Sequence, residues 1–167
     1  MAQVWAPEEN GGTSANVLAH LDEWVIARSP ALVHVNCGLH DLRKAFGAAQ
    51  SFLPLAEYAA NLREILARLT AKPGTRVVWA NTTPVDEKRH HAVKGFDRFE
   101  ADVLAYNTAA LRVAGELGVP VDDLYATVVR AGPAEYLQQD GVHFTADGYV
   151  LLGQAVAQCI RQHLTPG

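Results

Sequence analysis

Short apolar runs alternate with long amphipathic stretches along this chain, and this alternation limits the folds that the chain can adopt. Three runs are short and rich in β-branched residues, as buried parallel strands are: residues 31–38, 75–84 and 119–125. Three stretches repeat apolar residues at helical spacing: residues 54–74, 99–118 and 146–164. Strands that alternate with helices of this length form βαβ units. The sequence therefore predicts the α/β class, with a parallel sheet and helices on both of its faces.

The N-terminal residues fit the same alternation. Residues 2–6 (AQVWA) are a candidate short strand, and residues 14–29 carry apolar side chains on one helical face. Thr13 or Ser14 is a natural N-cap for this helix, because a hydroxyl oxygen can accept a hydrogen bond from a free backbone N–H. No internal repeat and no low-complexity linker interrupts the pattern. We therefore predict a single domain over residues 1–167.

The charge and hydropathy of the chain argue against two classes of partner. The net charge is −4 and the 14 basic residues are scattered, whereas a nucleic-acid groove needs Lys and Arg gathered along one surface. No apolar run approaches the ~20 residues of a membrane span. The N-terminus lacks the basic start and apolar stretch of a signal peptide, so a cytoplasmic location is the default prediction. We predict neither a nucleic-acid partner nor a membrane partner.

The sequence contains no motif for a metal or a nucleotide. The patterns CxxC and HExxH and a glycine-rich phosphate loop are all absent, so no metal and no cofactor are predicted. Cys37 and Cys159 lie far apart in apolar contexts, which favours two buried free thiols over a disulfide. The densest basic segment, residues 86–98 (DEKRHHAVKGFDR), is interleaved with acidic residues and is interpreted as a solvated loop.

Polar clusters follow the predicted strands or precede the last helix, and in parallel sheets the chemistry gathers at the carboxyl ends of the strands. In residues 137–149 (LQQDGVHFTADGY), Asp140 comes three residues before His143. A histidine that acts as a general base needs its other ring nitrogen held by an acceptor, which Asp140 can provide from a loop opened by Gly141. The alternative is that Asp140 starts a turn and His143 fills the entry to the helix.

Two further segments carry candidate site residues. In residues 35–43 (VNCGLHDLR), His40 is a candidate N–H donor to an oxyanion, and Asp41 is a candidate to order the loop. Alternatively, Asp41 caps a turn and His40 lies on the surface. In residues 9–16 (ENGGTSAN), two glycines permit a tight turn whose backbone N–H groups converge on an anion at a helix start. A plain turn with a Thr or Ser cap is also sufficient to explain this segment.

Together the three segments resemble sequence blocks of the SGNH hydrolases, also called GDSL-type esterases and lipases. The segment DGVHFTADGY resembles the last block, D-x-x-H, which implies that Asp140 and His143 belong to a catalytic triad. The segment GLHD resembles the G-x-N-D block, in which Gly38 and Asp41 match and His40 stands where the family usually has Asn. A histidine can still donate one hydrogen bond, so the resemblance implies a contribution to the oxyanion hole.

The segment ENGGTSANVLAHLDEW resembles the second block of that family, which implies that the Gly12 amide joins Gly38 and His40 in the oxyanion hole. The first block, G-D-S, carries the nucleophilic serine and has no counterpart in this sequence. We interpret the chain as one that begins after its first strand and its nucleophile. Ser14, close to the second block, is the candidate substitute nucleophile, although N-capping is its simpler role.

The resemblance implies a three-layer, flavodoxin-like α/β/α fold that lacks its first, central strand. It also implies hydrolysis of a small ester or an acetylated carbohydrate through an acyl-enzyme, without a cofactor and impaired by the absent nucleophile block. A missing central strand would leave backbone groups unpaired. We therefore expect either that residues 2–6 pair with residues 31–36, or that two chains associate as a homo-oligomer over the open sheet edge.

A non-catalytic module on the same fold is the alternative function. Such a module would keep the cleft for a carbohydrate or acyl ligand, lined by Trp79, Tyr125 and Tyr136, although core packing is the more common role of such residues. A flavodoxin-like nucleotide or flavin binder is a third class, and it is supported by architecture alone.

Overall fold

A short parallel sheet forms the centre of the molecule in a computed structural model that describes residues 3–164. The strands are β1 (Leu32–Val35), β2 (Arg76–Ala80) and β3 (Val121–Asp122), and β2 lies between the other two. β1 pairs with β2 over its full length, and β3 pairs with the last two residues of β2. The carboxyl ends of these strands lie at the same edge, which confirms the predicted parallel sheet of an α/β fold.

Helices connect the strands and cover the sheet. Within residues 3–164 there are eight α-helices, and a turn of 3-10 helix (Ile26–Arg28) leads into β1. The α-helices are α1 (Ser14–Ala19), α2 (Leu21–Trp24), α3 (Leu55–Thr70), α4 (Glu87–Val93), α5 (Glu100–Glu116), α6 (Leu124–Ala131), α7 (Pro133–Tyr136) and α8 (Ala146–Leu164). Three of the four helices predicted from apolar spacing are confirmed as α3, α5 and α8.

The burial of the middle strand shows that the sheet is covered on both faces. Successive side chains of a strand point to opposite faces, and the four residues from Val77 to Ala80 are all buried. Helix α3 packs against α1, α5 and β2, whereas α8 packs against α6, β1 and β3. The molecule is therefore an open, layered α/β structure rather than a barrel.

The main core lies between the sheet, α3 and α5. Apolar residues of α3 recur every three or four positions, so Tyr58, Leu62 and Leu66 form a continuous buried stripe. Tyr106 of α5 places its ring centroid 4.9 Å from that of Tyr58. Fully burying one such side chain stabilises the fold by roughly 1.5–3 kcal/mol. This packing provides the rigid framework that carries the loops at the strand ends.

The first residues of the chain differ from their prediction. Residues 3–6 form no strand, so the expected pairing with residues 31–36 is not observed, and Ala2 lies outside the described residues. The Trp5 ring instead stacks on the Arg28 guanidinium, with 3.7 Å between the Arg28 Cζ and the ring centroid. This cation–π contact holds the segment against the turn that precedes β1. Among the described residues, β1 therefore pairs with a neighbour on one side only.

The helix predicted over residues 14–29 is observed as three shorter pieces. Thr13 is the N-cap of α1, and its hydroxyl oxygen accepts a hydrogen bond from the Asn16 N–H at 3.3 Å. At His20, a φ of −105° and a ψ of 9° end the regular helix before α2 begins. Ser29 then adopts a left-handed conformation with a φ of 47°, which turns the chain out of the 3-10 helix toward β1.

Residues 86–98 contain a helix and three buried polar side chains, His90, Asp97 and Arg98, so their prediction as a solvated loop is wrong. Asp86 is the N-cap of α4, and its carboxylate accepts a hydrogen bond from the Arg89 N–H at 3.0 Å. His90 is fully buried, and Arg98 is only 5% exposed. The two groups are hydrogen-bonded to each other, and Arg98 also donates to the Leu39 carbonyl oxygen, 59 residues away along the chain.

Helices α6 and α7, which the sequence did not predict, fill the connection between β3 and α8. Cys37 and Cys159 are both free and buried, as predicted. Within residues 3–164, every helix is too short or too polar to span a bilayer.

Candidate active site

Asp140 and His143 form a hydrogen-bonded pair in the loop that precedes α8. His143 Nδ1 lies 2.5 Å from Asp140 Oδ2, and the His143 backbone N–H donates to Asp140 Oδ1 at 3.0 Å. Gly141 lies between them with a φ of 72°, a left-handed conformation that lets the chain turn back tightly. A Cβ at this position would lie 2.3 Å from the carbonyl oxygen of Asp86, so space as well as conformation requires glycine.

This contact fixes which ring nitrogen of a neutral His143 carries the proton. An ionised carboxylate only accepts hydrogen bonds, so Nδ1 is the donor and Nε2 presents its lone pair. Partial burial opposes ionisation of Asp140, but hydrogen bonds from the side chain and backbone of His143 outweigh it and hold the pKa of Asp140 well below its usual range. Lys94 Nζ, 3.1 Å from Asp140 Oδ2, acts in the same direction. The His143 side chain is 59% exposed, so the ring is accessible to a small molecule.

A tight turn follows β1 and carries His40. The Gly38 carbonyl oxygen accepts hydrogen bonds from the backbone N–H groups of Asp41 and Leu42, at 3.0 and 3.1 Å. Gly38 has a φ of 135°, and a Cβ there would lie 2.9 Å from the hydroxyl oxygen of Thr82. The turn therefore depends on Gly38, and it holds His40 at the carboxyl edge of the sheet.

His40 is half-buried, and its surroundings favour the neutral imidazole. Burial lowers the pKa of His40, and the positive charges of Arg98 and Arg43 lower it further. Asp41 opposes this change and His143 adds to it, so the two loops lie within range of each other's charge. A neutral imidazole keeps one N–H to donate, as a group that stabilises an oxyanion must.

Helix α4 is attached to the loop that carries Asp140. The Asp86 backbone N–H donates to the Gly141 carbonyl oxygen at 2.8 Å. The Arg89 side chain donates from Nη1 to the Leu137 carbonyl oxygen at 3.2 Å. Because these bonds start from the N-terminal half of α4, they fix the position of the loop relative to that helix.

The same helix is joined to the turn that carries His40 through a buried pair. Arg98 Nε donates to the Leu39 carbonyl oxygen at 2.8 Å, and Arg98 Nη1 donates to His90 Nε2 at 3.3 Å. A guanidinium only donates, so His90 Nε2 is the acceptor and Nδ1 carries the proton. This Nδ1 has no hydrogen-bond partner within the described residues. Burial, followed by the charges of Arg98 and Lys94, lowers the pKa of His90 and keeps its ring neutral.

Sequence analysis missed His90 and Arg98 because both residues are polar and lie in a strongly charged segment. The sequence does contain one indication of a helix in this segment: Asp86 is a residue type that favours the N-cap position, and it caps α4 by accepting a hydrogen bond from the Arg89 N–H. That signal locates the start of α4, but it does not show that the helix turns a histidine toward the core.

Ser14 is held by Asp41 and not by His143. Ser14 is fully buried, and its hydroxyl and its backbone N–H both donate to the Asp41 carboxylate, the hydroxyl at 2.5 Å. Asn61 Nδ2 in turn donates to Ser14 Oγ at 3.2 Å. Burial raises the pKa of Asp41, and the hydrogen bonds from Ser14 act against that rise. These contacts attach the start of α1 to the turn that carries His40.

The Gly12 amide, a predicted donor of the oxyanion hole, already has an acceptor. Its N–H donates to Asn10 Oδ1 at 2.8 Å, in a turn where Gly12 has a φ of 64°. A Cβ at Gly12 would meet nothing within 4 Å, so the surrounding space is open. The amide becomes available to another acceptor when the Asn10 side chain moves away.

Three aromatic residues considered as a cleft lining have packing or hydrogen-bonding roles. Trp79 is fully buried in the main core, so it does not line a cleft. The Tyr125 hydroxyl donates to Glu100 Oε1 at 2.5 Å. Tyr136 packs against a small apolar cluster that includes Phe144. Core packing, the more common role, is therefore the one observed for Trp79.

An open parallel α/β sheet with an Asp–His pair ahead of its last helix is the architecture of the SGNH class of hydrolases. The chain matches the model of the GDSL-like lipase/acylhydrolase family over residues 8–151, and it belongs to this family. Both the predicted family and the predicted class of fold are therefore confirmed.

Two curated relatives are similar to much of this chain. The GDSL esterase/lipase CPRD49 of Arabidopsis thaliana is 25% identical over 146 residues, which are 81% of this chain and 56% of the relative. The isoamyl acetate-hydrolyzing esterase 1 homolog of Homo sapiens is 28% identical over 126 residues, which are 71% of this chain and 51% of the relative. The chain thus spans about half the length of the curated relatives it matches.

Solved structures share the same fold. The lipase/acylhydrolase from Enterococcus faecalis superposes with a TM-score of 0.77 at 26% identity, covering 94% of this chain and 74% of that one. The acetylxylan esterase Axe2 from Geobacillus stearothermophilus superposes with a TM-score of 0.71 at 19% identity, covering 95% and 70%. The second likeness concerns the fold alone.

Proposed function

We propose that this protein is a carboxylic ester hydrolase in which His143 transfers the proton and Asp140 orients His143. One observation carries the proposal. His143 Nδ1 is bound to Asp140 at 2.5 Å, so in the neutral imidazole Nε2 is the nitrogen that presents a lone pair, on an accessible ring. Membership of the GDSL-like lipase/acylhydrolase family supports the same reaction.

On this route, His143 Nε2 removes the proton of an attacking hydroxyl group while the hydroxyl oxygen bonds to the ester carbonyl carbon. The carbonyl π electrons move to the carbonyl oxygen, and a tetrahedral anion results. The imidazolium then returns the proton to the departing alcohol oxygen as the carbon–oxygen bond breaks. Asp140 stabilises the charged ring between the two transfers.

We assign stabilisation of the tetrahedral anion to His40 and to the backbone N–H groups of Gly38 and Gly12. His40 offers one N–H, because burial keeps its ring neutral. The Gly12 amide has to exchange the Asn10 side chain for the anion. Asp41 supports this arrangement by tying the turn to α1. One donor of such a site is typically worth about 100- to 1,000-fold in rate.

The identity of the attacking hydroxyl sets the rate of this route. Within residues 3–164 no serine hydroxyl is hydrogen-bonded to His143, and the hydroxyl of Ser14 is bound to Asp41. We therefore propose that the chain by itself activates water at His143 Nε2 and turns over slowly. Loss of one member of a catalytic triad typically costs several orders of magnitude in rate. A serine hydroxyl placed beside Nε2 would open the faster acyl-enzyme route.

Small acetyl esters are the substrate class that we propose. Two similar proteins support it by name: one is a homolog of isoamyl acetate-hydrolyzing esterase 1, and the other, similar in fold alone, is an acetylxylan esterase. An acetyl group is also the smallest acyl group after formyl, so it needs little space beside the His40 turn. The alcohol part would then be a sugar or a short-chain alcohol.

Hydrolysis of p-nitrophenyl acetate tests the proposed reaction. We expect His143→Ala to lower the rate above background by about 100-fold or more, which is the usual contribution of a general base. His163→Ala is the matched control, because His163 lies on the last turn of α8, about 26 Å along that helix from its start near the site. Equal rates for the wild type and His143→Ala would contradict the proposal.

The burial of Ser14 favours a second candidate, a non-catalytic module that binds a carbohydrate or acyl ligand. In that case the loops of Asp140 and His40 would form a binding cleft, and no residue would supply a nucleophile. An acetylated xylo-oligosaccharide would then bind to the wild type and remain intact over hours, as followed by calorimetry and mass spectrometry. Release of acetate that depends on His143 would exclude the binding module.

A further inference from the structure

Two arginine side chains beside the candidate active site have no carboxylate partner within the described residues. Arg98 is only 5% exposed and Arg43 is half-buried, yet no carboxylate oxygen lies within 4.0 Å of either guanidinium. Four other arginines, in contrast, each form an ion pair with a carboxylate. The arginines with a carboxylate within that distance are Arg63, Arg68, Arg89 and Arg112.

The two guanidinium groups are brought together by one aromatic ring. The Cζ atoms of Arg98 and Arg43 lie 5.0 and 5.8 Å from the ring centroid of Phe96. The loops that carry them are tied by a reciprocal pair of backbone hydrogen bonds between Lys44 and Asp97, at 2.9 and 2.7 Å. Both guanidinium groups therefore lie beside Phe96, Arg43 also stacks on the Phe52 ring at 4.1 Å, and the charge of Arg43 acts on Arg98.

These charges lie next to the turn of the oxyanion site. Arg98 Nε donates to the carbonyl oxygen of Leu39, the residue before His40. The charges of Arg98 and Arg43 both act on His40, and the charge of Asp140 acts on Arg98. The arginine pair thus borders the loops that would hold the scissile ester.

The neighbouring carboxylates are already engaged. Asp140 is bound to His143 and Lys94, and Asp41 is bound to Ser14. Burying a guanidinium without a counter-ion is costly, and it is usually offset by an anion with matching hydrogen-bond geometry. Burial, together with the charge of Arg43, lowers the pKa of Arg98 to about 10, so Arg98 remains positively charged at neutral pH. Asp97, the residue before Arg98, is bound to His91. All three of these carboxylates therefore have partners other than Arg43 and Arg98.

We propose that Arg43 and Arg98 form an anion-binding subsite, and that the natural substrate is an ester that also carries a carboxylate close to the scissile bond. A planar carboxylate matches the paired N–H donors of a guanidinium. Arg43 makes the direct contact because it is the more exposed of the two, and Arg98 supplies charge from behind. The assignment of the ligand as a substrate rests on the proposed ester hydrolysis. Binding of an anion by the two arginines does not depend on turnover.

The test compares two esters that differ in charge, using the His143→Ala variant so that neither is consumed. Acetoxyacetate is an acetyl monoester that carries a carboxylate, and its methyl ester, methyl acetoxyacetate, is the neutral counterpart. We expect isothermal titration calorimetry to show that the monoester binds at least about tenfold more tightly, as a charge-assisted hydrogen bond provides. Sodium acetate is the third ligand. Binding of acetate as tight as that of the monoester would overturn the assignment to a substrate, because the subsite would then take the free acid.

Substitution of Arg43 tests the assignment of the subsite. We expect Arg43→Gln to abolish the preference for the monoester and Arg43→Lys, which keeps the charge, to retain part of it. Arg112→Gln is the control, because Arg112 is 71% exposed beside Glu116 on α5. Arg98→Gln is a weaker test, since Arg98 also holds the Leu39 carbonyl and its loss can unfold the turn.

Besides tight binding of acetate, three results would overturn the inference: no binding of the monoester at millimolar concentration, equal affinity for the two esters, or a preference that survives Arg43→Gln. These results are separable from failure of the proposed function. A chain that prefers the monoester but shows no His143-dependent hydrolysis would leave the anion subsite intact and remove the hydrolase. The reverse outcome would leave the hydrolase and remove the subsite.

Discussion

The Asp140 carboxylate accepts two hydrogen bonds from His143, one from the ring Nδ1 at 2.5 Å and one from the backbone N–H at 3.0 Å. The same residue thus aligns the imidazole and closes the loop that carries it. Because an ionised carboxylate accepts both bonds more strongly than a neutral carboxyl group does, Asp140 links the geometry of the site to the stability of the loop.

Asp140→Asn should destabilise the protein at neutral pH and have a smaller effect in acid. The pKa of Asp140 is lower in the folded protein than in the unfolded chain, so its stabilising effect is complete above the unfolded value of about 4 and is lost as pH falls through the folded value. Urea unfolding at neutral pH and near pH 3 measures the difference. The exposed Asp22, changed to Asn, should alter stability little at either pH, since surface ion pairs contribute about 0–1 kcal/mol. An Asp140→Asn effect that grows in acid would contradict the argument.

Gly141→Ala should be more damaging than an alanine at another left-handed glycine. Gly118 has a φ of 64° with nothing within 4 Å of its Cβ position, so Gly118→Ala costs only the backbone strain of about 1–2 kcal/mol. Gly141 carries the same strain, and its Cβ would in addition lie 2.3 Å from the Asp86 carbonyl oxygen. We expect Gly141→Ala to lower the free energy of unfolding by roughly 1–3 kcal/mol more than Gly118→Ala. Equal losses in chemical denaturation would show that the loop adjusts freely.

His90→Gln should weaken the dependence of stability on pH. The pKa of His90 is lower in the folded protein, so unfolding takes up a proton and the free energy of unfolding falls as pH drops below about 6.5. Gln is neutral at every pH and still offers an oxygen to Arg98. His40 shifts in the same direction, so the slope should decrease without vanishing. Denaturation curves at several values between pH 5 and pH 8 measure it, and an unchanged slope would refute the buried, neutral state of His90.

Ser14→Ala should act on stability rather than specifically on the rate of hydrolysis. The change leaves the buried Asp41 carboxylate without its hydroxyl donor, which typically costs about 1–3 kcal/mol. Thermal unfolding gives the loss of stability, and the p-nitrophenyl acetate rate per folded molecule gives the effect on chemistry. A rate that falls as far as in His143→Ala, with stability unchanged, would make Ser14 the nucleophile instead.

Association of two chains over the open edge of β1 remains a prediction. β1 pairs with β2 alone among the described residues, and an edge with unpaired N–H and C=O groups favours pairing with another strand. We expect light scattering to report a mass that rises with protein concentration. A mass of one chain, 18.0 kDa, at every concentration would rule this out.

The elements that the sequence predicts well are those whose partners are local or purely apolar. The apolar stripe of α3 and the β-branched run of β2 need no particular partner, because any apolar layer buries them. Asp140 and His143 are also close in sequence, so their spacing alone brings them within hydrogen-bond reach.

The elements that the sequence does not predict depend on distant partners. His90 can be buried because it accepts a hydrogen bond from Arg98, and Arg98 in turn donates to the Leu39 carbonyl oxygen. A periodic apolar pattern does not predict such contacts. Ser14 resembles an N-cap or a nucleophile by type, yet its partner is Asp41, 27 residues away. The turn at His20 divides one apolar stripe into two helices, and apolar spacing alone does not contain that break.

The hydrogen bond between the Gly12 N–H and Asn10 Oδ1 affects how well the Gly12 N–H distinguishes the neutral ester from the tetrahedral anion. A neutral ester carbonyl is an acceptor much like the Asn10 amide oxygen, so exchanging one for the other gains little for the resting substrate. A full negative charge on the same oxygen forms a stronger bond and can displace Asn10. On the proposed route, Asn10 therefore competes with the ester for the Gly12 N–H. This donor stabilises the tetrahedral anion, and it contributes little to binding of the unreacted ester.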